Sequence, residues 1–244
     1  MPTYNDYGIV LKSYDFSEAD KIFYIYTKEN GLVKAIGKNI RKSKSKISGK
    51  VDQLSCSYFQ FAKGKNLDVI CDIEQITSFP KLRVDSSKIF YGILFLDIVN
   101  NFAHEGESDS QENYELLYSS LDELQFSENV ELTSLRFISG FLSIHGFKPQ
   151  LETCVACSKQ IEFSNPQIML FPYSSILGGL LCNDCLHINH KMIQKATIDL
   201  LQSLSPRPSV LSTEDLRSTL KLLQDHLNAR SKKEIKSFDL VFSL

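Results

Sequence analysis

Two Cys-x-x-Cys pairs constrain the fold of this chain more than any other feature. Cys154 and Cys157 form the first, Cys182 and Cys185 the second, and 24 residues separate them. Each pair lets one tight turn present two thiolates to one ion. Two such knuckles complete a tetrahedron, the geometry of a closed structural Zn²⁺ site. An iron–sulfur cluster accepts the same ligands, but two symmetric knuckles favour zinc. His187 and His190 lie nearby, yet four thiolates already close the shell. With every position filled by protein, no place remains for a metal-bound water, so hydrolytic zinc chemistry is not expected. Phe163, Phe171 and Tyr173 suit a small hairpin over the metal, and Gly178-Gly179 lets the backbone turn into the second knuckle. The other cysteines, Cys56 and Cys71, fall in strand-like segments and read as small core residues.

In a reducing compartment thiols are not consumed by disulfides, so six cysteines there speak for metal binding or core packing. The rest of the sequence agrees with a cytoplasmic expectation. The first residues lack the basic and apolar pattern of a signal peptide. The longest apolar stretch, 89–99, is broken by Asp97 and is shorter than the ~18–20 residues that span a bilayer. A hydrophobic content of 43% supports a real core.

Residues 7–77 read as five short strands: 7–14, 20–27, 31–37, 54–62 and 67–77. A Glu-Asn-Gly turn precedes the third, and Lys63-Gly64-Lys65-Asn66 joins the last two. Five strands with one long insertion fit a small closed barrel. Such barrels are commonly OB-folds, which bind nucleic acid on one face; an SH3-like barrel is the alternative. Helical signals begin after Pro80. Ser86 or Ser87 is placed to cap a helix reaching about residue 104, and Ser110 one over 111–125. A third covers about 131–145, where Gly146 and Pro149 stop it. Two more are expected over about 190–204 and 213–229, joined by the loop 205–209.

Charge is unevenly spread. Residues 1–83 carry 14 Lys/Arg against 9 Asp/Glu, whereas 84–150 carry 3 against 11. The excess of cations concentrates in the insertion 37–50, which holds Lys38, Arg41, Lys42, Lys44, Lys46 and Lys50 and no acid. Lys34 lies just upstream. Ser and Gly between the cations let them follow a phosphate backbone, and neutralising phosphates releases counterions. A solvated loop is the bland reading. Tyr24, Tyr26, Tyr58 and Phe59 in the same barrel could offer stacking surfaces for single-stranded bases. Arg230, Lys232, Lys233 and Lys236 form a second cluster, read as complementing a helix dipole or as a weaker nucleic-acid contact.

No phosphate-binding glycine loop, dinucleotide fingerprint, H-E-x-x-H or G-x-S-x-G occurs. The five histidines are scattered, and no catalytic constellation emerges. A binding protein is expected rather than an enzyme.

The ordered features resemble the RecO family of bacterial recombination mediators. The resemblance rests on Ser17-Glu18-x-Asp20-Lys21, on Gly31-Leu32 followed by Gly37-Lys38 and the basic run, and on Gly146-Phe147-x-Pro149-x-Leu151-x-x-Cys154-x-x-Cys157. Gly178-Gly179-Leu180-Leu181-Cys182-x-x-Cys185 and Lys232-Lys233-x-x-Lys236-Ser237-Phe238 complete it. It implies an α+β protein: an OB-fold over 1–80, a helical domain over 81–149 and 189–244, and a zinc-ribbon-like four-cysteine module at 150–188. It also implies binding of single- and double-stranded DNA, annealing of complementary strands, and contacts with RecR and the C-terminal tail of single-strand-binding protein. RecA would be loaded as a result. The alternative is a zinc-ribbon adaptor of transcription or translation that recognises RNA or protein.

Overall fold

The computed structural model describes residues 2–42, 51–165, 167–203 and 212–244. Lys44, Lys46, Lys50 and the loop 205–209 lie outside the described residues. The chain divides into two compact units, 1–130 with 236–244, and 131–235.

The first unit is built on five strands: β1 (Thr3–Asp15), β2 (Lys21–Thr27), β3 (Gly31–Gly37), β4 (Cys56–Ala62) and β5 (Asp68–Thr77). They close into a barrel in the order β1-β2-β3-β5-β4, with β4 returning to β1. β1 pairs with β4 through its first half and with β2 through its second. A bulge between Val10 and Lys12 bends it from one partner to the other. β3 and β5 pair in parallel; the other four pairings are antiparallel. Alternation supplies the core, where Val10, Phe23, Ile25, Val33, Phe59 and Phe61 point inward and are buried. The β4–β5 turn needs glycine at 64, because a Cβ there would lie 1.8 Å from the Leu67 carbonyl oxygen.

Helices α1 (Ser86–Phe102), α2 (Ser110–Phe126) and α6 (Ser237–Phe242) belong to the same unit. The cap of α1 is Asp85, one residue before the expected serines; its carboxylate accepts from the Ser87 N–H at 2.9 Å. Ser110 is not a cap but the first helical residue, and its hydroxyl donates to the Lys28 carbonyl. Ser237 donates to Asp97 at 2.8 Å, tying the last helix to α1.

The second unit holds α3 (Val130–Ile144, all but its first residue), α4 (Lys195–Ser203), α5 (Thr213–Asn228) and a small sheet. That sheet has the order β7-β6-β8, from β6 (Leu170–Ser174), β7 (Gly179–Leu180) and β8 (Lys191–Gln194). The helix expected over 190–204 is therefore split: its first turn is strand β8, paired with residues 170–173 of β6. Cys71 is also corrected. It is exposed, unlike buried Cys56, because β5 turns that position to solvent.

Candidate nucleic-acid face and metal centre

The outer surface of β1–β2–β3 carries a cross-strand row. Lys12 stands opposite Tyr24, and Tyr24 opposite Lys34. The β1 bulge puts Lys12 and Tyr14 on this outward side, because it resets the alternation after core residue Val10. The Lys12 ammonium lies 4.5 Å from the Tyr24 ring centroid and 5.7 Å from that of Tyr14. Lys34 approaches the same Tyr24 ring at 6.0 Å. Tyr14 and Tyr24 meet edge to face at 5.9 Å, and Tyr14 remains 53% exposed. Two aromatic faces thus sit between two cations, offering stacking and charge together.

The start of the basic insertion lies at the end of this row. Lys38, Arg41 and Lys42 are exposed. The β1–β2 connection holds their backbone: Asn39 N–H donates to Asp20 at 2.7 Å, and Arg41 N–H to the Ala19 carbonyl at 3.0 Å. Asp20 N–H in turn donates to the Ser17 hydroxyl. Asn39 takes a left-handed φ of 56°, a conformation Asn tolerates better than most residues. The Arg41 guanidinium reaches Asp15 at 3.4 Å and the Ser17 carbonyl at 3.3 Å. The Ser17-Glu18-x-Asp20 segment is thus the platform from which the cations project. Of the four rings singled out from sequence, only Tyr24 joins this face. Tyr26 and Phe59 are fully buried, and Tyr58 packs on Tyr7 at 4.7 Å across the β1–β4 pair. Lys12 and Tyr14 were missed; strand parity alone, without the bulge, assigns Lys12 to the core side.

In the second unit the four cysteine sulfurs come together. Cys154, Cys157, Cys182 and Cys185 place their Sγ atoms within 4.8 Å of one another, and Cys157 and Cys182 are 3.6 Å apart. A tetrahedron with metal–sulfur bonds of ~2.3 Å has edges of about 3.8 Å, so the cluster has room for one such ion. Burial alone would raise the Cys154 thiol pKa, but the N–H groups of Cys182, Ala156 and Cys157 donate to its sulfur and bring it down to about 6. Burial and the neighbouring sulfurs push Cys185 the other way, to about 12. Four thiols this close resist ionising together unless a cation neutralises them. The donor set therefore fits a thiolate-bound metal ion.

Backbone pairing fixes both knuckles. Val155 N–H donates to the Leu180 carbonyl at 2.9 Å, and Leu180 N–H to that of Gln150 at 2.9 Å. This closeness explains Gly179, where a Cβ would lie 2.4 Å from the Gln150 oxygen. Outside the cluster, Lys159 bridges the two knuckles by pairing with Asp184 at 3.0 Å.

Sequence models of two adjoining families match nearly the whole chain. "Recombination protein O N terminal" matches residues 1–79, and "Recombination protein O C terminal" residues 83–238. The chain belongs to the RecO family. Among its relatives is the DNA repair protein RecO of Pelotomaculum thermopropionicum, 29% identical over 98% of this chain and 93% of the relative. That of Desulforamulus reducens is 26% identical over 99% and 94%. That of Dehalococcoides mccartyi strain CBDB1 is 32% identical over 73% and 68%. The boundary between the two RecO models falls at 79–83, whereas the compact units of this RecO-family chain divide at 130. Among the described residues, no helix is long and apolar enough to cross a membrane.

The family segment Gly146-Phe147-x-Pro149 has a structural task in this chain. Its Phe147 carbonyl accepts from His226 Nε2 at 2.7 Å, which fixes the tautomer and leaves Nδ1 to accept from the Tyr173 hydroxyl at 2.5 Å. Arg230 donates to the carbonyls of Ser175 and His226, at 3.0 and 2.7 Å. Its guanidinium thus stitches α5 to the β6–β7 turn, while Lys232, Lys233 and Lys236 are exposed. Burial lowers the His226 pKa to about 4. Unfolded histidine titrates near 6.5, so below that pH the unfolded chain takes up a proton the folded chain excludes. Stability from this site is complete above pH ~6.5 and is lost as pH falls toward 4, by roughly 3 kcal/mol. Chemical denaturation of wild type and His226→Gln at pH 7, 5.5 and 4.5 checks this. The variant is expected to be weaker at pH 7, with the gap narrowing as pH falls; a constant gap would refute the titration.

Proposed function

We propose that this chain is a DNA-repair mediator that binds single- and double-stranded DNA and anneals complementary strands. The observation that carries the reading is the Lys12–Tyr24–Lys34 row continuing into Lys38, Arg41 and Lys42 on one barrel face. We read the barrel as an OB-fold, which the circuit β1-β2-β3-β5-β4 supports, since that class binds oligonucleotides on the face of its second and third strands. Lys44, Lys46 and Lys50 extend the same cationic run in sequence.

In this reading the protein makes and breaks no covalent bonds. Cations screen the repulsion between two phosphate backbones, while Tyr14 and Tyr24 hold unstacked bases until pairing takes over. Lys232, Lys233 and Lys236 supply a secondary contact. The ion at the four cysteines is a single structural zinc. The names borne by its relatives support a repair role. In this reading the protein works in the bacterial cytoplasm, at the nucleoid. RecR and the tail of single-strand-binding protein are the partners, through which RecA is loaded onto DNA.

Annealing of complementary oligonucleotides, bare and coated with single-strand-binding protein, tests this. The expected result is acceleration of both, with the coated strands depending on the tail. No acceleration of bare strands would leave the adaptor reading in its place.

A further inference from the structure

Beside Lys34 the barrel opens into a cleft of about 370 Å³, lined by Tyr4, Lys34, Lys63, Lys65, Asp68 and Glu105 among others. We propose that this cleft seats a backbone phosphate of a bound strand, and that Glu105 is a built-in anion which the phosphate must displace from Lys34. The proposal rests on the nucleic-acid reading above and adds to it a site and a means of weakening it.

The cations converge from two elements. Lys34 comes from β3, and Lys63 and Lys65 from the β4–β5 turn. The Lys63 ammonium stands 5.3 Å from the Tyr4 ring centroid. Among the described residues, neither Lys63 nor Lys65 forms an ion pair. Asp68 also lines the cleft, but its oxygens are engaged by the Tyr4 hydroxyl at 2.5 Å and the Gly64 N–H at 2.9 Å. They thereby shape the turn that carries the lysines.

Glu105 differs. Its carboxylate has Lys34 as partner, at 3.2 Å, and the side chain is 67% exposed. Its backbone, by contrast, is clamped. The preceding carbonyl, of His104, accepts from Leu32 N–H at 3.1 Å, and Gly106 N–H donates to Asn30 at 3.0 Å. Two residues on, buried Glu107 accepts from the Tyr26 hydroxyl and contacts His104 Nδ1 at 3.0 Å. A solvated carboxylate on a fixed backbone, aimed at one of the two cations beside Tyr24, is a placeholder for a phosphate. Its exposed ion pair is weak, so exchange for a strand phosphate is cheap.

Fluorescence anisotropy of a labelled oligo-dT strand with the full chain tests this. Glu105→Gln is expected to tighten binding about threefold to fivefold at low salt. The gain is expected to vanish in Lys34→Ala. Lys63→Ala with Lys65→Ala is expected to weaken binding and lower the salt slope by about 0.7 for each phosphate no longer neutralised. Glu105→Gln binding no tighter, with an unchanged melting temperature, would overturn the placeholder. Unchanged affinity in the Lys63/Lys65 variant would overturn the seat. If those nulls appear while Lys38→Ala with Arg41→Ala still weakens binding, only this inference fails; if wild type binds no strand, both readings fall.

Discussion

Replacing Cys182 by Ser is expected to empty the metal site and to destabilise residues 131–235 by more than the loss of any single core side chain. Cys182 is buried, and its Sγ lies 3.6 Å from that of Cys157. Its N–H also donates to Cys154, so the residue serves the cluster twice. Three thiolates and a hydroxyl bind a soft-ligand ion poorly, and the sulfurs left behind return to protonated thiols. Structural zinc sites supply about 10–16 kcal/mol in small zinc-finger peptides, because the unfolded chain has no preformed site. Even ~3 kcal/mol lost would lower the melting temperature of a unit this size by more than about 10 °C. The measurements are metal content and the melting curve. Wild type is expected to carry about one zinc per chain, and Cys182→Ser close to none with an early transition. A wild type that is metal-free and equally stable would refute the assignment. Strong chelation of wild type should reproduce the variant's curve, which separates metal loss from a packing defect at residue 182.

That site was legible because ligand spacing is a local property. Two residues between cysteines specify a knuckle whatever the rest of the chain does. The strands were legible for a similar reason: alternation and the Glu-Asn-Gly turn fix residues 21–37 without reference to distant partners. What failed depended on pairing. Residues 191–194 read Lys-Met-Ile-Gln, as good for a helix start as for a strand. Their state is decided by the hydrogen bonds of β6, far back along the chain. Cys71 failed through parity, since it is the extra residue at a register shift in the β4–β5 ladder, between Ile70 and Asp72. Lys12 and Tyr14 failed through the β1 bulge, which only the paired strand β2 discloses. The cap of α1 went to Asp85 instead of a neighbouring serine because either residue type satisfies the same amides.

Removing Lys38, Arg41, Lys42, Lys44 and Lys46 together is expected to cost the chain most of its affinity for DNA. Lys38, Arg41 and Lys42 are exposed, so their replacement by Ala removes charge while leaving the barrel core intact. Arg41 is the exception to watch. It pairs with Asp15, itself within 3.7 Å of Lys21, and its backbone N–H, which Ala retains, holds the loop to Ala19. For single strands each phosphate left without its cation lowers the log–log salt slope by about 0.7, and for duplex by about 0.9. Five such phosphates would flatten the slope by about 3.5 and weaken binding on the order of a hundredfold at low salt. Melting should move little, because Lys38, Arg41 and Lys42 are surface positions. Binding of strand and duplex, titrated at about 50 to 200 mM salt, gives both numbers at once. A variant with wild-type slope and affinity would remove the basic loop from the interface. The interface would then centre on the Lys12–Tyr24–Lys34 row, and Tyr24→Ala, expected otherwise to cost about 1–3 kcal/mol of stacking, would become the dominant loss.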